Sequence, residues 1–216
     1  FDDLLKCVAQ TGKPIILSTG MATLEEIDHA LEVLDKSGAG PTILLHCCSS
    51  YPAPLESINL NAMLAMGTHF NNFVGFSDHT IGITAPLTAV AMGAVAVEKH
   101  YTSDPTRDGP DHHFSATPEI MKKIAKGVDD IMELRGHSQK GLGPEEIVNK
   151  AIGRRSAFAS KDLSIGTILT QDNMRFIRPN AGIPANNVSG VLGKRLTQAV
   201  LQGHPITYAD ISASSE

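Results

Sequence analysis

Four short apolar runs, Pro14 to Leu17, Thr42 to Leu45, Phe73 to Phe76 and Ala94 to Val97, recur through the first hundred residues, separated by stretches with helical spacing. Each run is strand-sized and apolar throughout, as a strand is when both of its faces are buried. Between the first two runs, Thr23-Leu24-Glu25-Glu26 reads as a capping box. Ile27, Ala30, Leu31 and Leu34 follow at helical spacing, and Gly38 marks the stop. The next two connections carry Leu60, Met63, Leu64 and Met66, then Ile83, Leu87, Val90, Ala91 and Met92. After the fourth run, Thr117-Pro118 opens a helix with Ile120, Ile124, Val128, Ile131 and Leu134 on one face. The chain itself begins in a helix, Asp2 to Ala9, with no initiator Met, so an upstream part is expected.

A strand–helix unit repeated four times predicts an α/β domain with a parallel sheet covered by helices. Both a barrel and an open doubly wound sheet fit that alternation. The open sheet usually carries a glycine-rich phosphate loop after one strand, which this sequence lacks, so a barrel is favoured. Four units are half of an eight-unit barrel, and residues 1–135 are read as its last four. Residues 136–155 turn polar and glycine-rich and are expected to be a linker with at most one helical turn. Residues 156–216 show short alternating runs and a faint echo, Gly166-Thr167-Ile168-Leu169-Thr170 against Gly203-His204-Pro205-Ile206-Thr207, which predicts a small β-rich domain.

Composition narrows the function classes. A net charge of −5 and the lack of any Lys/Arg cluster argue against a nucleic-acid partner. No stretch approaches the roughly 20 apolar residues of a membrane span, so none is expected. Three cysteines, two of them adjacent at Cys47 and Cys48, make a poor disulfide framework and point to the cytoplasm.

In a barrel of this kind the chemistry belongs at the C-terminal strand ends. There the four runs lead into Ser18-Thr19-Gly20, His46-Cys47-Cys48-Ser49, Ser77-Asp78-His79 and Glu98-Lys99-His100. His79 and His100 follow adjacent strands, about 4.8 Å apart in a sheet. Two imidazoles there suit a loosely held catalytic Mn²⁺, Mg²⁺, Co²⁺ or Zn²⁺, with Asp78 and Glu98 as neighbouring groups that either support the ligands from behind or act as acid and base. The alternative is that each histidine simply caps its strand with a hydrogen bond. Ser18, Thr19, Ser49 and Ser77 form a set of small hydroxyls able to hold phosphate oxygens, although serines after strands are equally common as turn and cap residues. Gly20 and Gly75 permit close backbone approach. The polar stretch Asp104 to His113 is long for a plain connection and is expected to contact substrate. Cys47 has no evident activating partner and is expected to be packing.

These residues fall into blocks that resemble the sialic acid synthase family. The blocks are Ile15-Ile16-Leu17-Ser18-Thr19-Gly20-Met21-Ala22, His46-Cys47-Cys48-Ser49-Ser50-Tyr51-Pro52, Gly75-Phe76-Ser77-Asp78-His79-Thr80, Glu98-Lys99-His100-Tyr101-Thr102 and Gly109-Pro110-Asp111-His112. Phe176-Ile177-Arg178-Pro179-Asn180-Ala181-Gly182-Ile183 is similar to the appended antifreeze-like (SAF) domain of that family. Relatives of this kind make N-acetylneuraminate, legionaminate, pseudaminate and spore-coat sugar acids.

The resemblance implies a barrel enzyme that condenses phosphoenolpyruvate with an N-acylated aminohexose, releasing phosphate and making a nine-carbon 2-keto acid. It implies His79 and His100 as ligands of a divalent metal, usually Mn²⁺, with Mg²⁺ or Co²⁺ as alternatives. Ser18, Ser49 and Ser77 would hold phosphoenolpyruvate, and Tyr51, Asp111 and Glu98 would face the amino sugar. Arg178 matches an arginine that one subunit inserts into the other's barrel in a domain-swapped homodimer. Ser49 stands where relatives can have Asn, and Tyr101 where Phe is frequent. The family's first four strand–helix units, with a glutamate and a phosphate-binding lysine, lie outside this sequence, so the chain alone is expected to be inactive. The competing readings are a metal-dependent aldolase or shorter-chain keto-sugar-acid synthase on a similar barrel, and a non-catalytic glycan-binding module.

Overall fold

In a computed structural model, which describes residues 1–212, the elements follow the alternation read from the sequence. They run α1 (Asp2–Ala9), β1 (Ile15–Ser18), α2 (Leu24–Lys36), β2 (Thr42–Cys47), α3 (Leu60–Phe70), β3 (Phe73–Asp78), α4 (Thr84–Met92), β4 (Val97–Lys99) and α5 (Pro118–Arg135). The strands form one parallel sheet in the order β1-β2-β3-β4, in register Ile15↔Thr42, Ile43↔Phe73 and Phe76↔Val97. This curled parallel sheet is half of a (β/α)₈ barrel. Because consecutive strands are neighbours, their C-terminal ends stand side by side at one rim.

Local chemistry accounts for the helix limits. The Thr23 hydroxyl accepts from the Glu26 amide while the Glu26 carboxylate accepts from the Thr23 amide, closing the expected capping box on α2. Asn59 and Asn71 bracket α3 in left-handed conformation (φ 47° and 49°), which asparagine tolerates better than most residues. The Thr117 hydroxyl accepts from the Ile120 amide at the start of α5, with Pro118 in the first turn.

One side of the sheet is sealed by helices: Leu44, Val74 and Phe76 are buried with Met63 and Met66 of α3 and Ala85 and Ala89 of α4. Gly75 sits on the other side, where an added Cβ would come within 2.5 Å of Leu45 Cδ2 and 2.7 Å of the Ala96 carbonyl oxygen. Only glycine lets β3 lie this close to its neighbours.

The strand ends differ from the sequence reading. The fourth strand was expected at 94–97 and is found at Val97–Lys99. Gly93 closes α4 in left-handed conformation and the Ala94 amide still bonds the Ala89 carbonyl, so the chain joins the sheet only at Val95, whose amide donates to Val74 O. β2 and β3 likewise run on to Cys47 and Asp78. The polar residues at the rim are therefore the last residues of the strands, subject to strict two-face alternation.

The polar segment after α5 also differs. Its residues Pro144–Gly153 form α6, three turns where at most one was expected. Pro144 occupies the first turn and the Glu146 carboxylate accepts from the Gly143 amide, an N-terminus built without a side-chain cap at position 143. The chain divides into two compact units, residues 1–137 and 138 onward.

In the second unit β5 (Ser156–Ala159) and β6 (Met174–Ile177) pair antiparallel, and isolated bridges such as Leu163↔Val200 and Ile168↔Arg195 extend the β structure. Ala157, Leu163, Leu169, Ile183, Leu196 and Ile206 fill its core. The internal echo is real in structure. Leu169 and Ile206 are both buried, and each copy ends in a 3₁₀ turn capped from three residues ahead, by Asn173 Oδ1 on the Thr170 amide and by Asp210 Oδ2 on the Thr207 amide. Residues 213–216, assigned to this domain by the sequence reading, lie outside the described residues.

Candidate active site

Strand alternation sorts the rim residues. Register places Cys47 opposite Ser77, Ser77 opposite Glu98, and Asp78 opposite Lys99. Ser77, Glu98 and Cys47 therefore share the side away from the helices, while Asp78 and Lys99 share the helix side with Val74 and Phe76.

On the open side the Ser77 hydroxyl, 3% exposed, donates to Glu98 Oε1 at 2.7 Å. Ser18 ends β1 on the same side. The turn beyond it crosses β2: the Thr19 amide and hydroxyl both donate to Leu45 O, at 3.0 and 2.8 Å, and the Gly20 amide donates to Cys47 Sγ at 2.9 Å. Gly20 has φ 48°, and a Cβ there would lie 3.5 Å from Ser49 Oγ, so the turn brings the Ser49 hydroxyl beside the chain that carries Ser18. Burial pushes the Cys47 thiol above its ordinary pKa, against the opposing pull of the Gly20 and Thr19 amides. Cys47 is thus a neutral packing group under the rim, as expected from its lack of an activating base.

The strands then release their chains into an aromatic cluster. The His79 and His100 ring centres are 5.2 Å apart and nearly perpendicular. With metal–nitrogen bonds of about 2.1 Å, two imidazoles on one ion have ring centres roughly 4.6 to 5.3 Å apart, and this pair has that spacing. His79 Nδ1 lies 2.8 Å from the Cys48 carbonyl oxygen. A carbonyl only accepts, so in the neutral ring Nδ1 carries the proton and Nε2 keeps its lone pair. The Ala53 amide holds the His79 carbonyl at 2.9 Å, and the Ala116 amide holds that of His100 at 2.8 Å. No third His, Cys, Asp or Glu among the described residues completes a three-residue metal cluster with them.

Tyr51 packs against this pair, its ring centre 4.3 Å from His79 at a tilt of 43° and 5.9 Å from His100 in an edge-on contact. The loop after β4 supplies the other wall. Thr102 Oγ1 bonds His112 Nδ1 at 2.8 Å and accepts from the Asp104 amide, which pins both ends of residues 103–112. That pinning returns Asp111 to within 3.6 Å of His100 Nδ1, an ion-pair distance beyond a hydrogen bond, and seats buried Phe114 against His100 and Tyr51. Gly109 (φ 146°) makes the return possible, because a Cβ would come within 2.8 Å of His112 Cδ2.

The structure thus brings together His79, His100, Tyr51 and Asp111 in one cluster, and Ser77 with Glu98 on the open side of the adjoining strands. Of the two places expected for Asp78, behind the ligands or as an acid/base group, it does not reach the open side where an acid or base would act. It is 0% exposed, Oδ1 accepts from the Thr80 amide at 2.8 Å, and Oδ2 accepts from Lys99 Nζ at 2.6 Å, so no oxygen is left for substrate. The reason is alternation, which turns position 78 away from positions 77 and 98. Arg178 is exposed just after β6 in the second unit. Sequence reasoning missed Lys99 and Phe114. The first had a signal, its register with Asp78; the second, one apolar residue in a polar loop, had little.

A curled half-barrel of four parallel strands, with its polar residues at the C-terminal strand ends, places the first unit in the class of (β/α)₈-barrel proteins. More particularly, residues 1–140 match the NeuB family and residues 154–212 match the SAF domain, and the chain belongs to the NeuB family. It is 43% identical over 196 residues to N,N'-diacetyllegionaminic acid synthase of Campylobacter jejuni, covering 90% of this chain and 59% of that protein. It is 32% identical over 212 residues to pseudaminic acid synthase of Helicobacter pylori, covering 98% and 62%. The crystal structure of N-acetylneuraminic acid synthetase from Leptospira borgpetersenii, in complex with citrate, matches with a TM-score of 0.62 and 38% identity over 68% of this chain and 51% of that one. The chain spans about three-fifths of the length of the curated relatives it matches. No helix among the described residues is long and apolar enough to cross a membrane.

Proposed function

We propose that this chain forms the C-terminal part of a synthase that condenses phosphoenolpyruvate with an N-acylated aminohexose. Three carbons join six, giving a nine-carbon 2-keto sugar acid and inorganic phosphate. The observation that carries the reading is the 5.2 Å pair His79–His100 beside the Ser77–Glu98 hydrogen bond, at adjacent parallel strand ends of a NeuB-family chain.

Two imidazoles at this spacing, one with Nδ1 committed to a carbonyl, fit a divalent cation, Mn²⁺ first and Mg²⁺ or Co²⁺ after it. Such an ion, when bound, polarises the sugar aldehyde as a Lewis acid. Ser18 and Ser49 donate hydrogen bonds to phosphoenolpyruvate oxygens, and Ser77 turns its single proton from Glu98 to the substrate on binding, so that C3 is fixed near the aldehyde carbon. C3 bonds to the aldehyde carbon as the aldehyde oxygen takes up a proton, water adds at the electron-poor C2 and loses a proton, and the C2–oxygen bond to phosphate then breaks as the new C2 hydroxyl loses its proton, leaving the keto acid and phosphate. Glu98 accepts a proton from that water or orients it. Tyr51 and Asp111 bind the amino sugar above the histidines. Arg178, in a domain-swapped homodimer, brings its planar fork of donors to the sugar in the other subunit's barrel. Such an enzyme works in the cytoplasm, where phosphoenolpyruvate is made.

The test is phosphate release from phosphoenolpyruvate with a panel of N-acetylated and di-N-acetylated hexoses. It uses the chain joined to the first four strand–helix units of a legionaminic acid relative, with each divalent ion in turn. Product mass spectrometry is expected to show phosphoenolpyruvate carbons added to the sugar, and His79→Ala is expected to abolish metal-dependent turnover. Carbon–carbon bond formation without phosphate release would indicate an aldolase instead, and glycan binding without turnover a non-catalytic module.

A further inference from the structure

The strongest feature outside the roles already assigned is a cation buried directly behind the two histidines. Lys99 lies on the helix side of β4, its side chain 2% exposed, and its ammonium donates to Asp78 Oδ2 at 2.6 Å and to the Thr80 carbonyl at 2.5 Å. The Thr80 amide in turn donates to Asp78 Oδ1 at 2.8 Å. These three bonds close a loop around residues 78 to 80, with His79 the one residue between the clamped positions. Lys99 is itself the residue before His100. One buried ion pair therefore sits one peptide away from each imidazole and ties the ends of β3 and β4 together on the face opposite the site.

We infer that Lys99 and Asp78 are positioning residues, which hold the His79 and His100 rings at their separation and fix the direction in which His79 Nε2 points. This rests on reading those histidines as the ligand pair. With a solvated residue at 99 the turn through His79 would keep its Thr80-to-Asp78 bond and its contacts to Ala53 and Cys48 on the β2 side but lose its tie to β4. A fully desolvated ammonium with two acceptors in fixed directions has no competing partner, so it holds its geometry more firmly than an exposed pair. Groups behind metal-binding histidines commonly change metal affinity by about 10–100-fold when lost.

The test compares the parent chain with Asp78→Leu/Lys99→Met, which removes both charges together, since deleting one alone strands the other. Asp78→Asn/Lys99→Met also removes both charges, keeps an Oδ1 acceptor for the Thr80 amide, and serves if the first double variant does not fold. Two readouts are taken on folded protein: affinity for Mn²⁺ alone, from the electron paramagnetic resonance signal of the free ion, and the tautomers of His79 and His100, from long-range ¹H–¹⁵N correlation without metal. The parent is expected to show His79 protonated on Nδ1. Asp78→Leu/Lys99→Met is expected to average the two tautomers and to bind Mn²⁺ at least tenfold more weakly, with Asp78→Asn/Lys99→Met between. Unchanged tautomers and unchanged Mn²⁺ affinity in a folded variant would overturn the inference. If the parent binds no Mn²⁺, or if binding survives His79→Ala, the metal reading fails instead, and the metal-free tautomer measurement alone decides the positioning role.

Discussion

Ser77 Oγ and Glu98 Oε1 are joined by a 2.7 Å hydrogen bond between the last residues of β3 and β4 that face away from the helices. The bond orients a carboxylate that would otherwise rotate freely at the rim. In the completed enzyme Glu98→Gln keeps an acceptor for Ser77 while removing the negative charge. We expect kcat to fall by roughly 10²- to 10⁴-fold with little change in KM for phosphoenolpyruvate. Ser77→Ala is expected to act mainly on that KM. Steady-state kinetics of the two variants separate the roles, and the same pattern in both would contradict them.

Gly182 has the least room for a side chain among the glycines of the second unit. A Cβ there would lie 2.4 Å from the Ala157 carbonyl oxygen and 2.7 Å from that of Ile206, both on backbone that cannot swing aside. Gly182→Ala is expected to destabilise residues 156–212 by about 1–3 kcal/mol or more. Hydrogen–deuterium exchange should show faster labelling of peptides from that unit, with those of the barrel strands unchanged.

Asp210 gives the second unit an acid limit. Burial pushes its carboxyl up, but hydrogen bonds from the Thr207 hydroxyl and amide and from the Gln198 amide group outweigh that and leave the pKa lowered. A carboxyl whose pKa is lower folded than unfolded adds stability in full above its unfolded value, near 4, and loses it as pH falls through the folded value. Thermal unfolding of the second unit between pH 7 and pH 2 is expected to show this decline. Asp210→Asn should start less stable at neutral pH and lack that part of the pH dependence.

Thiol reactivity should separate two cysteines. Burial holds the Cys47 thiol above its ordinary pKa, and the reactive species is the thiolate. Cys7 is exposed on α1. Brief iodoacetamide treatment of the folded chain at pH 7.5, mapped by mass spectrometry, should label Cys7 and spare Cys47. Equal labelling would mean that the Gly20 turn does not cover the Cys47 thiol.

The repeated strand–helix alternation, the caps on α2 and α5, and the placement of polar residues at one rim were all legible in the sequence, because each depends on neighbours a few residues away. Periodicity shows which face of a helix is apolar, and Thr23 with Glu26 or Thr117 with Pro118 states where it begins. The pairing of His79 with His100 was also within reach, since sequential strands in such a domain are neighbours. What the sequence left open was the face on which each rim residue falls. That turns on where β3 and β4 end, and their ends are set by hydrogen bonds between strands, such as Val95 to Val74, that no local pattern reports. The register of β3 with β4 puts Glu98 with Ser77 on the open side and Asp78 with Lys99 behind it. Side-chain direction in a sheet reverses at every residue, so chemistry at a strand end is decided by register, and register is a property of the assembled sheet.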